Sequence, residues 1–127
     1  MQDKHLFEYA VIRVVPRVER EEFLNVGVIL YCKGLKFLQS KCDLDEERLS
    51  AFAKDTDKDD VKESLRAFGQ ISAGSKDGGP IGKLDAASRF RWLTATRSTV
   101  VQTSKVHPGF TQDAAVTLER LFKELVL

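Results

Sequence analysis

An antiparallel sheet of about four strands with three to four helices packed on it, an α+β fold, is what this sequence predicts. Three observations predict it. Three stretches rich in β-branched and aromatic residues follow one another near the N-terminus, helical spacing takes over after Asp45, and one further alternating stretch returns before a last amphipathic segment.

"LFEYAVIRVV" (Leu6 to Val15) reads as a strand with two apolar faces, Ala10, Ile12 and Val14 on one and Phe7, Tyr9, Val11 and Val15 on the other. Such a strand is central and covered on both sides. Pro16 ends it, because proline has no N–H for the ladder. "FLNVGVILYC" (Phe23 to Cys32) and "LKFLQSK" (Leu35 to Lys41) read as the second and third strands of a meander, joined by a two-residue turn at Lys33-Gly34. That turn places Cys32 opposite Leu35 and Cys42 opposite Asn25, too far apart for a disulfide.

Leu49, Phe52 and Ala53 then recur at helical spacing in a short helix. Val61, Leu65, Phe68 and Ser72 do so in a second, whose start carries Asp59 and Asp60. "GSKDGGPIG" (Gly74 to Gly82) reads as a mobile glycine-rich loop over about 74–83. Ala86, Phe90 and Leu93 mark a third helix, and Ser98 to Val106 a fourth strand that "HPG" breaks. Thr111 is the expected N-cap of a last helix striped with Ala114, Leu118, Leu121, Phe122 and Leu125. All 127 residues are expected to form a single domain.

Composition excludes more than it assigns. A net charge of +1 gives no global attraction to nucleic acid or to a membrane surface. The distribution is uneven: nine acidic and four basic residues from Asp43 to Glu63, five basic and one acidic from Lys83 to Lys105. Two cysteines without a disulfide register, no basic-then-apolar leader and no apolar run near 18 residues predict a cytoplasmic protein.

The chemical motifs fail on inspection. "DTDKDD" (Asp55 to Asp60) has the alternating carboxylates of a calcium loop, but Asp60 stands where the turn glycine belongs and Arg66 where the bidentate glutamate belongs. "GGPIGK" (Gly78 to Lys83) lacks a phosphate loop's first glycine, Asp77 standing there, and its hydroxyl, replaced by Leu84. Cys32, Cys42, His5 and His107 include no close ligand pair for zinc. No nucleophile elbow surrounds any serine. The residues therefore lean away from an enzyme, and imply no metal and no cofactor.

One stretch keeps its interest. "RFRWLTATRSTVVQTSKVH" (Arg89 to His107) gathers Arg89, Arg91 and Arg97 with Trp92 and a run of hydroxyls that includes Thr94, Thr96, Ser98 and Thr99. Arginine forks with hydroxyl donors suit a carboxylate or phosphate, and Trp92 suits stacking. The same arginines are equally suited to pairing with the acidic 43–63 segment, with Trp92 in the core. Arg13 raises a related point, because a charge on an apolar strand must find an acceptor or reach water. The Glu19 to Glu22 cluster is its nearest partner by sequence.

"YAVIRVVP" (Tyr9 to Pro16) followed by "NVGVILY" (Asn25 to Tyr31), with "FRWLTATRSTVVQTSKVHPG" (Phe90 to Gly109) and "LERLFKELV" (Leu118 to Val126) farther on, resembles a bacterial family, domain of unknown function 3037. The resemblance covers nearly the whole chain and implies no catalytic residues. It singles out Arg13, Asn25 and Gly27 from the first element, and Arg91, Thr94, Arg97, Ser98 and His107 from the second. Some family members are encoded beside a protein resembling the HipA-type kinases, so the resemblance implies such a kinase as a protein partner. The expectation is a non-enzymatic protein-interaction module. The alternative is nucleic-acid or phosphate-ester binding through Arg89 to Lys105. The candidate binding residues are Arg13, Asn25, Arg91, Trp92, Thr94, Arg97, Ser98 and His107.

Overall fold

The computed structural model describes residues 3–95 and 99–127. Strands β1 (His5–Val14), β2 (Leu24–Cys32) and β3 (Phe37–Cys42) form the expected meander. Helices α1 (Glu46–Phe52), α2 (Lys58–Ala73), α3 (Gly79–Gly82) and α4 (Ala86–Leu93) follow, then β4 (Val101–Thr103), β5 (His107–Thr111) and α5 (Ala114–Leu125). The sheet runs β3-β2-β1-β4, with β5 also pairing β1, and every pairing is antiparallel.

The central position expected for β1 follows from its two apolar faces. Ala10, Ile12 and Val14 pack with Leu49 of α1, Val61, Phe68 and Ile71 of α2, and Phe90 and Leu93 of α4. On the other face Phe7 packs with Val28, Leu30 and Cys32 against Ala114, Leu118, Leu121 and Phe122 of α5. The expected apolar stripe of the last helix is thus the layer that covers one side of the sheet. Each long helix begins at an aspartate whose carboxylate accepts backbone N–H groups: Asp45 from Glu47 and Arg48, Asp57 from Asp60, Asp85 from Ser88, Asp113 from Val116.

Four expectations need correction. The fourth strand is split. β4 pairs with the C-terminal half of β1 and β5 with its N-terminal half, one register step apart. The extra residue falls at Lys105, so Ser104 and Lys105 form a bulge. There the Ser104 N–H donates to the Val11 carbonyl at 2.8 Å, and the Ser104 hydroxyl accepts the Val11 N–H, also at 2.8 Å. Pro108 lies inside β5 because this is an edge. The ladder bonds of Val11 and of Val15, whose N–H reaches the Val100 carbonyl, put odd-numbered β1 residues and their partners inward. By alternation Pro108 faces outward, where no N–H is needed.

The β2–β3 turn is four residues long, not two. The Lys36 N–H reaches the Lys33 carbonyl at 3.1 Å, and Lys36, not Gly34, carries the positive φ of 52°. Cys32 therefore faces Phe37 and Cys42 faces Gly27. Within the expected glycine-rich loop the chain instead makes a 3-10 turn at Lys76–Gly78 and the single turn of α3, with Pro80 at a helix start where its missing N–H costs nothing. The cap of the last helix is Asp113 rather than Thr111. The Thr111 hydroxyl instead meets that of Thr117 at 2.6 Å and accepts the Asp113 N–H.

Candidate functional site

Asn25, Val26 and Gly27 hold the feature that places the candidate residues of the first element. β2 bulges there: Ile12 faces Gly27, yet Arg13 faces Asn25, leaving Val26 as the extra residue. The bulge inverts the alternation. Val28 and Leu30 point toward α5, whereas Leu24 and Val26 join the core on the opposite face. Asn25 is thereby turned to the α5 side beside Arg13, instead of into the larger core. Its Nδ2 donates to the Leu125 carbonyl at the end of α5, 3.1 Å away.

Arg13 does not pair with the Glu19–Glu22 cluster. Arg17 takes Glu19 and Arg20 takes Glu22, because both arginines lie two residues from those carboxylates in the same turn. The Arg13 guanidinium stacks on Phe23 instead, its Cζ 3.8 Å from the ring centre. Its Nε is buried without a hydrogen-bond partner, and so is Asn25 Oδ1. Burial holds the Arg13 pKa below its ordinary value. Gln102 faces Arg13 from β4, so Gln102, Arg13 and Asn25 form a row across three strands. His107 shares that face but sits beside Tyr9, its ring 5.3 Å away, four β1 residues or about 13 Å from Arg13.

The residues of the second element are not gathered with these. Arg91, Trp92 and Thr94 belong to α4 or its C-cap, on the opposite side of the sheet. Arg91 grips Glu8 of β1 with two bonds, Nη1 to Oε2 at 3.0 Å and Nη2 to Oε1 at 3.2 Å. Arg89 donates to the Leu84 carbonyl at 2.7 Å and lies against Gly74, at the carbonyl end of α2. Neither arginine makes an ion pair with the acidic 43–63 segment among the described residues. The Thr94 hydroxyl is bonded to the Phe90 carbonyl within its own helix. Trp92 is 40 % exposed. Arg97 and Ser98 lie outside the described residues.

Sequence reasoning missed a second cluster. Leu6 and Phe110 are directly opposed on β1 and β5, and are 55 % and 69 % exposed. The Cys32 thiol donates to the Leu6 carbonyl at 3.4 Å and His5 lies over Gly34, which brings the β2–β3 turn and its half-exposed Leu35 to the same end of the sheet. Lys4, Lys33 and Lys36 stand there exposed, with no ion pair among the described residues. The signal was weak because Leu6 belongs to a strand that reads as buried and Phe110 follows a "HPG" that reads as a strand breaker. At the sheet's other end a cleft of about 600 Å³ opens between the β1–β2 connection and the α1–α2 loop. Its walls carry both signs, Arg17, Arg20 and Lys54 against Asp55, Asp57 and Asp60.

The architecture is a layered α+β fold with a bulged central pair of strands and unpaired polar groups on one face. A family model described as "Protein of unknown function (DUF3037)" matches residues 9–126, and the chain belongs to that family. No curated protein and no solved structure matches it. Among the described residues, no helix is long and apolar enough to cross a membrane.

Proposed function

We propose that this chain is a non-enzymatic protein-interaction module that docks a partner at the Leu6–Phe110 end of its sheet. The observation that carries this reading is the opposed pair itself. Two large apolar side chains stand exposed side by side on an edge, where a single exposed apolar residue would be ordinary. Leu35 extends the apolar area, and Lys4, Lys33 and Lys36 supply a cationic rim suited to steering an acidic partner. Pro108 leaves this edge of the sheet poor in donors, so recognition runs through side chains rather than an added strand. The kinase-like protein implied by the family resemblance is the partner to test first.

A tagged pull-down from the native host, with and without nuclease, compares the wild-type chain with Phe110→Glu and with a remote control, Val116→Glu. A stoichiometric protein that survives nuclease, is lost with Phe110→Glu and is kept with Val116→Glu supports the docking end. A partner kept by Phe110→Glu removes it. Capture that vanishes with nuclease favours the nucleic-acid reading instead. Two of the arginines in the segment that reading draws on, Arg89 and Arg91, are bonded within the molecule, which counts against it, while Arg97 lies outside the described residues.

A further inference from the structure

The Gln102–Arg13–Asn25 row carries an inference independent of the docking end. α5 covers its face of the sheet over Phe7, Val28 and Leu30, and ends where Asn25 Nδ2 takes the Leu125 carbonyl and Arg48 Nη1 takes that of Val126. The row lies beside that end. Its Arg13 is partly buried, has one guanidinium face against Phe23, and makes no hydrogen bond or ion pair among the described residues. An unpaired, partly desolvated cation is costly, whereas an apolar side chain of similar length is not. No acceptor among the described residues is bonded to the guanidinium, the unpaired Asn25 Oδ1 opposite included. Glu19 and Glu22 are held by Arg17 and Arg20, and the Gln102 amide folds back to donate to the Thr99 carbonyl at 2.8 Å.

A stacked guanidinium whose two Nη groups make no bond within the described chain is a preformed receptor for a planar anion, because those groups match the two oxygens of a carboxylate. We propose that Arg13 is the anchor of a carboxylate-binding site, with Phe23 as its stacking platform and Asn25 and Gln102 as its neighbours in the row. The carboxylate belongs either to a small free acid or to an Asp or Glu side chain on a protein. Aspartate and glutamate from this chain's own described residues do not fill it.

The test uses the full chain and two measurements. Side-chain Nε–H resonances of arginine are followed in titrations with succinate, with the capped peptide acetyl-Gly-Glu-Gly-amide and with inorganic phosphate. Thermal unfolding is recorded for wild type, Arg13→Met and Arg13→Lys. A saturable shift of the Arg13 resonance with succinate and peptide assigns a general carboxylate site, and a shift with only one of them names the source. No shift with either, or a shift with phosphate alone, overturns the proposal. Arg13→Met is expected to raise the Tm in the absence of ligand, since it removes an uncompensated cation, and to abolish any rise in Tm caused by succinate. Arg13→Lys keeps the charge without the fork and is expected to weaken that rise several-fold. A lowered Tm for Arg13→Met would mean that Arg13 is already satisfied internally, and would also overturn the proposal. None of these outcomes bears on Leu6 and Phe110, so the two readings fail separately.

Discussion

Arg91 holds Glu8 in a two-bond fork, 3.0 and 3.2 Å, across 83 residues of sequence. The pair ties the exposed rim of α4 to the central strand. Glu8 is the more enclosed partner, its side chain 26 % exposed against 62 % for Arg91. Exposed pairs contribute little, but bidentate geometry raises the return, so a coupling of about 0.5–1 kcal/mol is expected. A double-mutant cycle of Arg91→Ala and Glu8→Gln, read by urea unfolding, measures it. Each single substitution lowers the Tm by about 2–4 °C. A coupling near zero would return Arg91 to the pool of residues available to a ligand.

Ser104 substitutes for the ladder at the break between β4 and β5. Its hydroxyl is the acceptor for the N–H of Val11, a residue buried to 7 % exposure. Ser104→Ala leaves that N–H without a partner where water enters poorly, at a cost of about 1–3 kcal/mol. Amide exchange at Val11 is expected to accelerate while exchange at Ile29 does not change beyond the global loss. Ser104→Thr keeps the acceptor and largely restores protection.

The elements legible in the sequence are those governed by local pattern. β1 is readable because Ala10, Ile12 and Val14 and then Phe7, Tyr9 and Val11 fill both faces, and the helices because Val61, Phe68 and Ile71 or Leu118, Leu121 and Phe122 recur at helical spacing. What escapes is whatever depends on register. Lys36 adopts the positive φ that a glycine two positions earlier advertises, and the turn lengthens. A bulge at Val26 reverses the facing of Asn25, so strict alternation cannot say that Asn25 meets Arg13. The sheet-end cluster needs Leu6 and Phe110, 104 positions apart, to be brought together by a strand that contains a proline. The glycine of Asn25-Val26-Gly27 was the one local sign of the bulge, and it has a second reason to be there.

That reason is space. A Cβ built on Gly27 would lie 2.6 Å from the Lys41 carbonyl oxygen and 2.7 Å from Cys42 Sγ. Gly27→Ala therefore forces β2 and β3 apart and is expected to destabilise by about 1–3 kcal/mol. Adding Cys42→Ala removes the sulfur but not the carbonyl, so the double variant stays well below wild type in urea unfolding. Full recovery would show that the sulfur alone sets the limit.

The same contact governs Cys42. The residue as a whole is exposed, but its sulfur is tucked over the Gly27 backbone, and desolvation pushes the thiol from an ordinary 9.0 up to about 12. The unfolded chain loses this proton first as pH rises, so the folded state binds more protons between about 9 and about 12. The stabilising contribution is complete below the lower value and disappears as pH climbs through the upper one. Cys42→Ser is expected to decline less steeply in stability at alkaline pH than wild type. In a Cys32→Ala background the native Cys42 thiol reacts with a disulfide reagent at pH 8 far more slowly than the urea-unfolded thiol does, since thiolate is the reactive form. Equal rates in the two states would mean that the sulfur is open to water, and would remove the packing account of Gly27 along with it.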